Sequence, residues 1–390
     1  MRILRVIVTM DPSFGGPCQG IRNSIPEQEK LGITNEVLCF DTPDAQYLGK
    51  DGFIIHTIGP AKGPYSYCSS LRPWLAENIS RFDAIIIHGL WLYNNYGTYL
   101  AWKKYKKRSD NPPKLFVMPH GMLDPYFQQA KARRLKAIRN WIFWKLIERK
   151  PVNNATGVFF TCEQELLLAR NTFSPYHPRK ELNIGYGILA PPSYEEVMRS
   201  DFLKLCPQVE NKSFILFLSR IHEKKGVDIL IKAYIRLKKR IPDLPYLVIA
   251  GPGLDTSYGK EMIDLAKDYK EILFPGMLSG NTKWGAFYGC QALALPSHQE
   301  NFGIAIVEAM ACSKAVLITD KVNIWREIQK NNTGLVSNDT ENSFYRIMEE
   351  WMSLSSDEKI NMGNSARQVF IKLFSMSGAA ENMIDTIRKA

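Results

Sequence analysis

"SFILFLSRIHEKKGVDILIKAYIRLKKR", residues 213–240, decides the fold. Seven residues of strand length, apolar except for the flanking serines, lead into a charged turn, and from Val227 onward the pattern reads as a helix. An apolar run without alternation marks a strand covered on both faces, which points to a parallel sheet in an α/β layer. The rhythm repeats downstream. "YLVIAGPG" precedes "GKEMIDLAKDY", "ILFPGM" precedes "TKWGAFYGC", "ALALPS" precedes a helix carrying Glu308, and "KAVLIT" follows. Upstream, "ILRVIVT", "NEVLCF", "GFIIHTI", "FDAIIIHG", "KLFVMPHG" and "GVFFTC" are strand candidates, with helices expected near 19–31 and 71–78. Two α/β domains are the economical organisation of 390 residues. The hinge is expected in "GYGILAPPSYEE", punctuated by Gly185, Gly187, Pro191 and Pro192. The expected boundaries are 1–187, 188–372 and a terminal helix 373–390. A longer helical stretch, 357–390, is a candidate to pack back on the first domain.

With 45% hydrophobic and 23% charged residues the chain reads as a folded globular protein. The net charge of +11 favours an anionic partner: nucleic acid, a membrane surface or a phosphorylated metabolite. Seven scattered cysteines without CxxC spacing argue against a disulfide scaffold or structural zinc and suit a reducing compartment. The apolar run at the amino end is short and followed by no small-residue cleavage site, so it reads as a core strand rather than a secretory signal. A cytoplasmic protein is expected, peripheral on the inner face of the cytoplasmic membrane. No apolar stretch is long enough to span a membrane.

Several segments carry a chemical argument. In "SRIHEKKG", Arg220, Lys224 and Lys225 stand between a strand's carboxyl end and a helix's amino end, where the helix dipole ordinarily prefers acids. A diphosphate would satisfy both the cations and the helix N–H groups. No GxxxxGK[ST] motif accompanies them, so a P-loop hydrolase fits poorly. In "HQENFGIAIVEAM" (298–310), Glu300 stands at the mouth of a helix expected over 302–312, and Glu308 lies two turns in. Along the axis that is roughly 12 Å, too far for the paired carboxylates of a hydrolase, which lie about 5–9.5 Å apart. They read as separate acceptors for one long ligand. "DPSFGGP" places Gly15 and Gly16 after the first strand, where backbone approaches phosphate or sugar closely. His120 in "VMPHGMLDPY", His88 in "IIIHGLW" and His298 lie near strand ends, without metal-ligand spacing. "KARRLKAIRNWIFWKLIERK" (131–150) combines eight basic residues with one acid, Glu148, and two tryptophans. As a helix it suits an anionic lipid surface through Arg133, Arg134, Lys136, Trp141 and Trp144; a core-facing helix with a solvated basic face is the plainer reading. No nucleic-acid module supports a DNA or RNA partner.

Taken in order, "DPSFGGP", "PHGMLDPY", "TCEQE", "LSRIHEKKGVDILIKAY", "VIAGPG" and "LPSHQENFGIAIVEAMA" resemble the retaining glycosyltransferases of family 4, the group 1 type, across nearly the whole chain. The resemblance implies a GT-B fold: two Rossmann-like α/β domains facing a central cleft, with a nucleotide-sugar donor held by the second. It implies that Arg220 and Lys225 hold the diphosphate, that Glu300 holds a sugar hydroxyl, and that Glu308 accepts from the ribose. Ser219, Gly251, Asn301, Phe302, Gly303 and Ile304 would line the donor site, with Gly15 and Gly16 approaching the diphosphate and His120 the transferred sugar. Transfer would retain anomeric configuration without a tightly bound metal or cofactor, since no DxD pair is suitably placed. "HGMLDPY" resembles the form found in polysaccharide and O-antigen assembly enzymes, implying a glycan or lipid-linked saccharide acceptor and a UDP- or GDP-hexose donor. A sucrose- or trehalose-type synthase and a noncatalytic nucleotide-sugar-binding protein are the alternatives. Leu189 stands where relatives often carry an aspartate.

Overall fold

A computed structural model describes residues 1–14, 16–129 and 134–390. The chain divides into two compact units, Met1–Gly187 joined by Met376–Ala390, and Ile188–Ser375.

The first unit is built on seven parallel strands, β1 (Arg2–Val6), β2 (Thr34–Cys39), β3 (Ile54–Thr57), β4 (Ala84–His88), β5 (Lys114–Met118), β6 (Gly157–Phe160) and β7 (Glu181–Asn183), in the order β3-β2-β1-β4-β5-β6-β7. Both faces are covered, which is why these strands read as continuous apolar runs. Leu4 and Val6 pack with Leu71, Leu75, Tyr99 and Trp102 from the helices Leu71–Asn78 and Tyr93–Lys106. On the opposite face Ile3 meets Met383, Ile384 and Ile387 of the helix Met376–Lys389. The terminal helix is pinned by Lys114, whose Nζ donates to the carbonyls of Ile387 and Arg388 at 2.8 and 3.1 Å. It is shorter than the 357–390 stretch proposed from sequence. Residues through Ser375 stay with the second unit, where Phe370 and Phe374 are buried and Phe374 meets Phe302 edge-on at 5.7 Å.

The second unit repeats the plan with six parallel strands, β8 (Phe214–Leu218), β9 (Tyr246–Ala250), β10 (Ile272–Gly276), β11 (Ala292–Leu295), β12 (Ala315–Thr319) and β13 (Gly334–Ser337), ordered β10-β9-β8-β11-β12-β13. In each sheet the chain reverses its direction of travel beside the first strand, between β1 and β4 and between β8 and β11. Ligands of open parallel sheets bind outside the carboxyl ends of the strands at such a reversal.

The basic segment 131–150 is not one continuous helix. It runs as helix Arg134–Phe143, a widened π turn Trp144–Glu148, and helix Arg149–Asn154. The turn buries both Trp144 and Glu148. Glu148 bonds the Asn95 amide, and burial pushes its carboxyl up to about 8. The folded state therefore holds a proton that the unfolded chain, titrating near 4.5, has lost above that pH. Between about pH 5 and 8 this group makes stability fall as pH rises, by about 1.4 kcal/mol per unit. Glu148→Gln is expected to remove that slope, read as the wild-type minus variant difference in unfolding free energy. Parallel curves for the two proteins would show that Glu148 is ionised when folded.

Candidate functional site

In the first unit, the loops after β1, β4 and β5 carry the polar groups. His88 ends β4, and its Nδ1 lies 2.9 Å from Nε2 of His120, in the loop after β5. His120 adopts a left-handed φ of 53° and Gly121 follows at 77°. The loop is held from below by Glu165, buried on the helix Glu163–Ala169. One Glu165 oxygen accepts from the Gly121 N–H at 2.6 Å; the other accepts from the Thr161 N–H at 2.7 Å and the Thr161 hydroxyl at 2.5 Å. Burial and the nearby Arg5 charge depress His120 to about 4, and burial also drives His88 well below the usual imidazole range. Both imidazoles are neutral at physiological pH, so one proton lies between them. At the β1/β4 reversal, Val8, Phe14, Leu90, Leu92 and Met122 line a mainly apolar pocket of about 230 Å³ with His88 in its wall.

In the second unit the loops after β8 and β11 lie against each other at the chain reversal. Gly226 makes that approach possible. Its φ of 64° is left-handed, and a Cβ there would stand 2.1 Å from the Pro296 carbonyl oxygen. Just before it, residues Glu223–Lys225 form a 3-10 turn capped by His222, whose Nδ1 accepts from the Lys224 N–H at 3.1 Å. The loops are then tied by the His298 N–H, donating to the Lys224 carbonyl at 2.8 Å, and by an ion pair between Lys225 and Glu300. Glu300 is fixed from its other side: its N–H donates to Lys321 O at 3.0 Å and its carbonyl accepts from Asn323 N at 2.9 Å. Asn301 accepts from the Asn323 side chain at 3.2 Å. Gly303, at φ 81°, opens the helix Ile304–Ala311, on which Glu308 pairs with Lys283 at 2.8 Å. Behind Ser219, Gly251 has φ 147°, and any Cβ would fall 1.8 Å from the Ser219 carbonyl oxygen.

The arrangement of this cluster offers cationic and N–H donors to an anion beside hydrogen-bond acceptors. Arg220 is exposed and enters no ion pair among the described residues. The helices Val227–Lys238 and Ile304–Ala311 both begin at this edge of the sheet, where their first N–H groups lack intrahelical partners. Lys225 is not an idle cation, because Glu300 already neutralises it. The Lys225–Glu300 pair places an ammonium donor and a carboxylate acceptor side by side, a combination suited to a phosphate next to a hydroxyl-bearing ring.

Residues 206–369 match the family model described as glycosyl transferases group 1. The Ile188–Ser375 unit is a group 1 glycosyltransferase domain. Among curated proteins, this chain is 27% identical over 192 residues to D-inositol 3-phosphate glycosyltransferase of Gordonia bronchialis, covering 46% of this chain and 41% of that one. It is 30% identical over 163 residues to phosphatidyl-myo-inositol mannosyltransferase of Mycolicibacterium smegmatis, covering 37% and 41%. The chain thus spans less than half the length of these curated relatives. The fold as a whole is similar to that of Anabaena Alr3699/HepE, crystallised with UDP, at a TM-score of 0.72 and 16% identity over all of both chains. That fold is GT-B, with two Rossmann-like α/β units.

The group 1 domain brings together Ser219, Arg220, Lys225, Gly251, Glu300, Asn301, Gly303, Ile304 and Glu308 around the β8/β11 reversal. Phe302 contributes only its backbone there, since its ring is buried against Phe374. Gly16 and His120 belong to the first unit; Gly16 begins the helix Gly16–Lys30. Gly15, Arg133 and the Arg134 side chain lie outside the described residues. Lys136 and Trp141 are exposed on the basic helix. Trp144 is not a surface contact: it is fully buried, stacks on Phe173 at 4.9 Å and donates its indole N–H to Pro175 O at 3.3 Å. Lys283 and Glu165 were not foreseen from sequence as partners of the site. Glu165 sits in the "TCEQE" segment, where a carboxylate three residues past a cysteine at a strand end was the only available signal.

Proposed function

We propose that the protein is a retaining glycosyltransferase that moves a hexose from a UDP- or GDP-sugar to a glycan or lipid-linked saccharide in polysaccharide assembly. The Arg220, Lys225–Glu300 and Glu308 cluster at the β8/β11 reversal carries this reading. Arg220 and the amino end of the helix Val227–Lys238 stabilise the charge that develops on the departing diphosphate, the transition-state term that fixed dipoles and cations supply best. Glu300 accepts from a sugar hydroxyl, and its ion pair orients Lys225 toward the same diphosphate. Glu308, held by Lys283, accepts from the ribose. The leaving diphosphate takes the proton of the incoming hydroxyl, so no protein base and no resident metal is required. In the first unit, His120 and Gly16 are the proposed contacts to the transferred sugar and diphosphate. UDP in the HepE structure supports the donor class, and phosphatidyl-myo-inositol in the name of the Mycolicibacterium smegmatis relative supports a lipid-borne acceptor. Incubation with a panel of UDP- and GDP-hexoses and a lipid-linked saccharide, read by NMR, is expected to give a product with the donor's anomeric configuration. An inverted product would contradict retention, and no product from any donor would contradict the transferase reading.

The acceptor side is proposed to work at an anionic membrane face. Among the described residues no helix is long and apolar enough to cross a membrane. Leu135, Ile138, Trp141 and Leu146 are nevertheless 84%, 59%, 50% and 62% exposed, and Lys136, Arg139 and Lys145 stand among them. Such a surface presents apolar side chains to the acyl boundary and cations to headgroups. Replacing Leu135, Ile138 and Leu146 with serine is expected to weaken sedimentation with anionic vesicles at least about tenfold. Unchanged sedimentation would remove the membrane from the proposal.

A further inference from the structure

We infer that a cavity in the first unit, lined by Arg5, Gln28, His88 and His120, binds a small monovalent inorganic anion of halide size. The inference goes beyond the transfer reaction and does not depend on it. Arg5 lies on β1 among the buried apolar residues Ile3, Leu4 and Val6, and is 1% exposed. Its Nε donates to Asn35 Oδ1 at 3.0 Å, and its Nη2 to Gln28 Oε1 at 2.9 Å and to Met383 Sδ at 3.7 Å. All three acceptors are neutral. Among the described residues no carboxylate pairs with Arg5, and Glu36, the acid of the neighbouring strand β2, is engaged by Arg2, His56 and Arg81. An isolated buried cation carries a desolvation penalty that only a counter-charge offsets. Burial lowers the guanidinium only to about 10, so the charge persists at neutral pH.

A second observation points to the same ligand. His88 Nε2 is buried and has no hydrogen-bond partner, and His88 lines the cavity together with Arg5. With its proton on Nε2, His88 presents a buried N–H donor that needs an acceptor. An anion there supplies the acceptor: His88 then carries its proton on Nε2, receives the His120 Nε2–H at Nδ1 across 2.9 Å, and leaves His120 Nδ1 as an acceptor. The anion therefore sets the tautomer of His120 as well as neutralising Arg5. The cavity volume of about 40 Å³ suits a halide. A single positive charge matches a monovalent ion rather than phosphate or sulfate.

The test compares thermal unfolding of the full chain in sodium chloride, sodium bromide and sodium gluconate at equal ionic strength. Chloride and bromide are expected to raise the melting temperature by about 3 °C per tenfold increase beyond half saturation, and gluconate, too large to enter, to leave it unchanged. Arg5→Met keeps the side-chain length, removes the charge and is expected to abolish the halide-specific rise. Crystals of the wild-type protein soaked in bromide should give an anomalous peak between Arg5 and His88 Nε2, a readout that does not require the variant to fold. Equal melting temperatures in bromide and gluconate, a halide effect that survives Arg5→Met, or bromide peaks confined to the surface would each overturn the inference.

Discussion

Arg220→Ala is expected to lower turnover of the matched donor by about 10²–10³-fold while leaving the melting temperature unchanged. The side chain is exposed and enters no ion pair among the described residues, so its removal strands no partner and opens no cavity. What disappears, on the proposed reaction, is the cation assigned to the diphosphate as it gains charge while the glycosidic bond breaks. That interaction is stronger in the transition state than in the ground state, so kcat should fall more than donor affinity. Lys225→Ala differs, because it also leaves the Glu300 carboxylate, only 22% exposed, without its partner. Release of nucleoside diphosphate from the donor reads both variants. Turnover of Arg220→Ala within threefold of wild type would remove Arg220 from the reaction.

Glu165→Ala is expected to destabilise the first unit by about 3 kcal/mol or more and to disable the His120 loop. The buried carboxylate accepts from two backbone N–H groups and one hydroxyl, and truncation leaves those donors unpaired at about 1–3 kcal/mol each. Burial raises the Glu165 carboxyl, and the hydrogen bonds oppose that shift. Glu165→Gln retains one acceptor oxygen but aims an NH₂ at donors, so it should fall between wild type and alanine. Because Gly121 is the bonded neighbour of His120, the proposed contact to the transferred sugar, turnover should drop in both variants. Wild-type thermal stability in Glu165→Ala would show that the loop is held by something else.

Much of this architecture was legible because a doubly covered parallel strand writes itself as an apolar run. "FDAIIIHG" and "SFILFLS" each contain an observed strand, and the helix beginning at Val227 starts where the charged turn ends. The edge strands β7, "ELN", and β13, "GLVS", were not legible, being three and four residues long with too few apolar positions to signal. The helix Tyr93–Lys106 also escaped notice, since it buries Asn94, Asn95 and Thr98 and shows little amphipathic contrast. At the site, the residue types and their strand-end placement were readable, but not their pairing. Lys225 and Glu300 are 75 residues apart, and only the β8/β11 adjacency joins them. In the basic segment, periodicity could not tell Trp141 from Trp144, because the widened turn shifts the phase of the helix between them.

Calorimetric titration of nucleotide sugars into wild type and Glu308→Ala tests the central claim most directly. One UDP- or GDP-sugar should bind the wild-type protein stoichiometrically, with affinity reduced about tenfold or more by Glu308→Ala, the loss of a hydrogen bond from a ribose hydroxyl to a charged acceptor. Failure of the folded wild-type protein to bind any nucleotide sugar, or equal binding by the variant, would contradict the assignment of this domain's loops as a donor site.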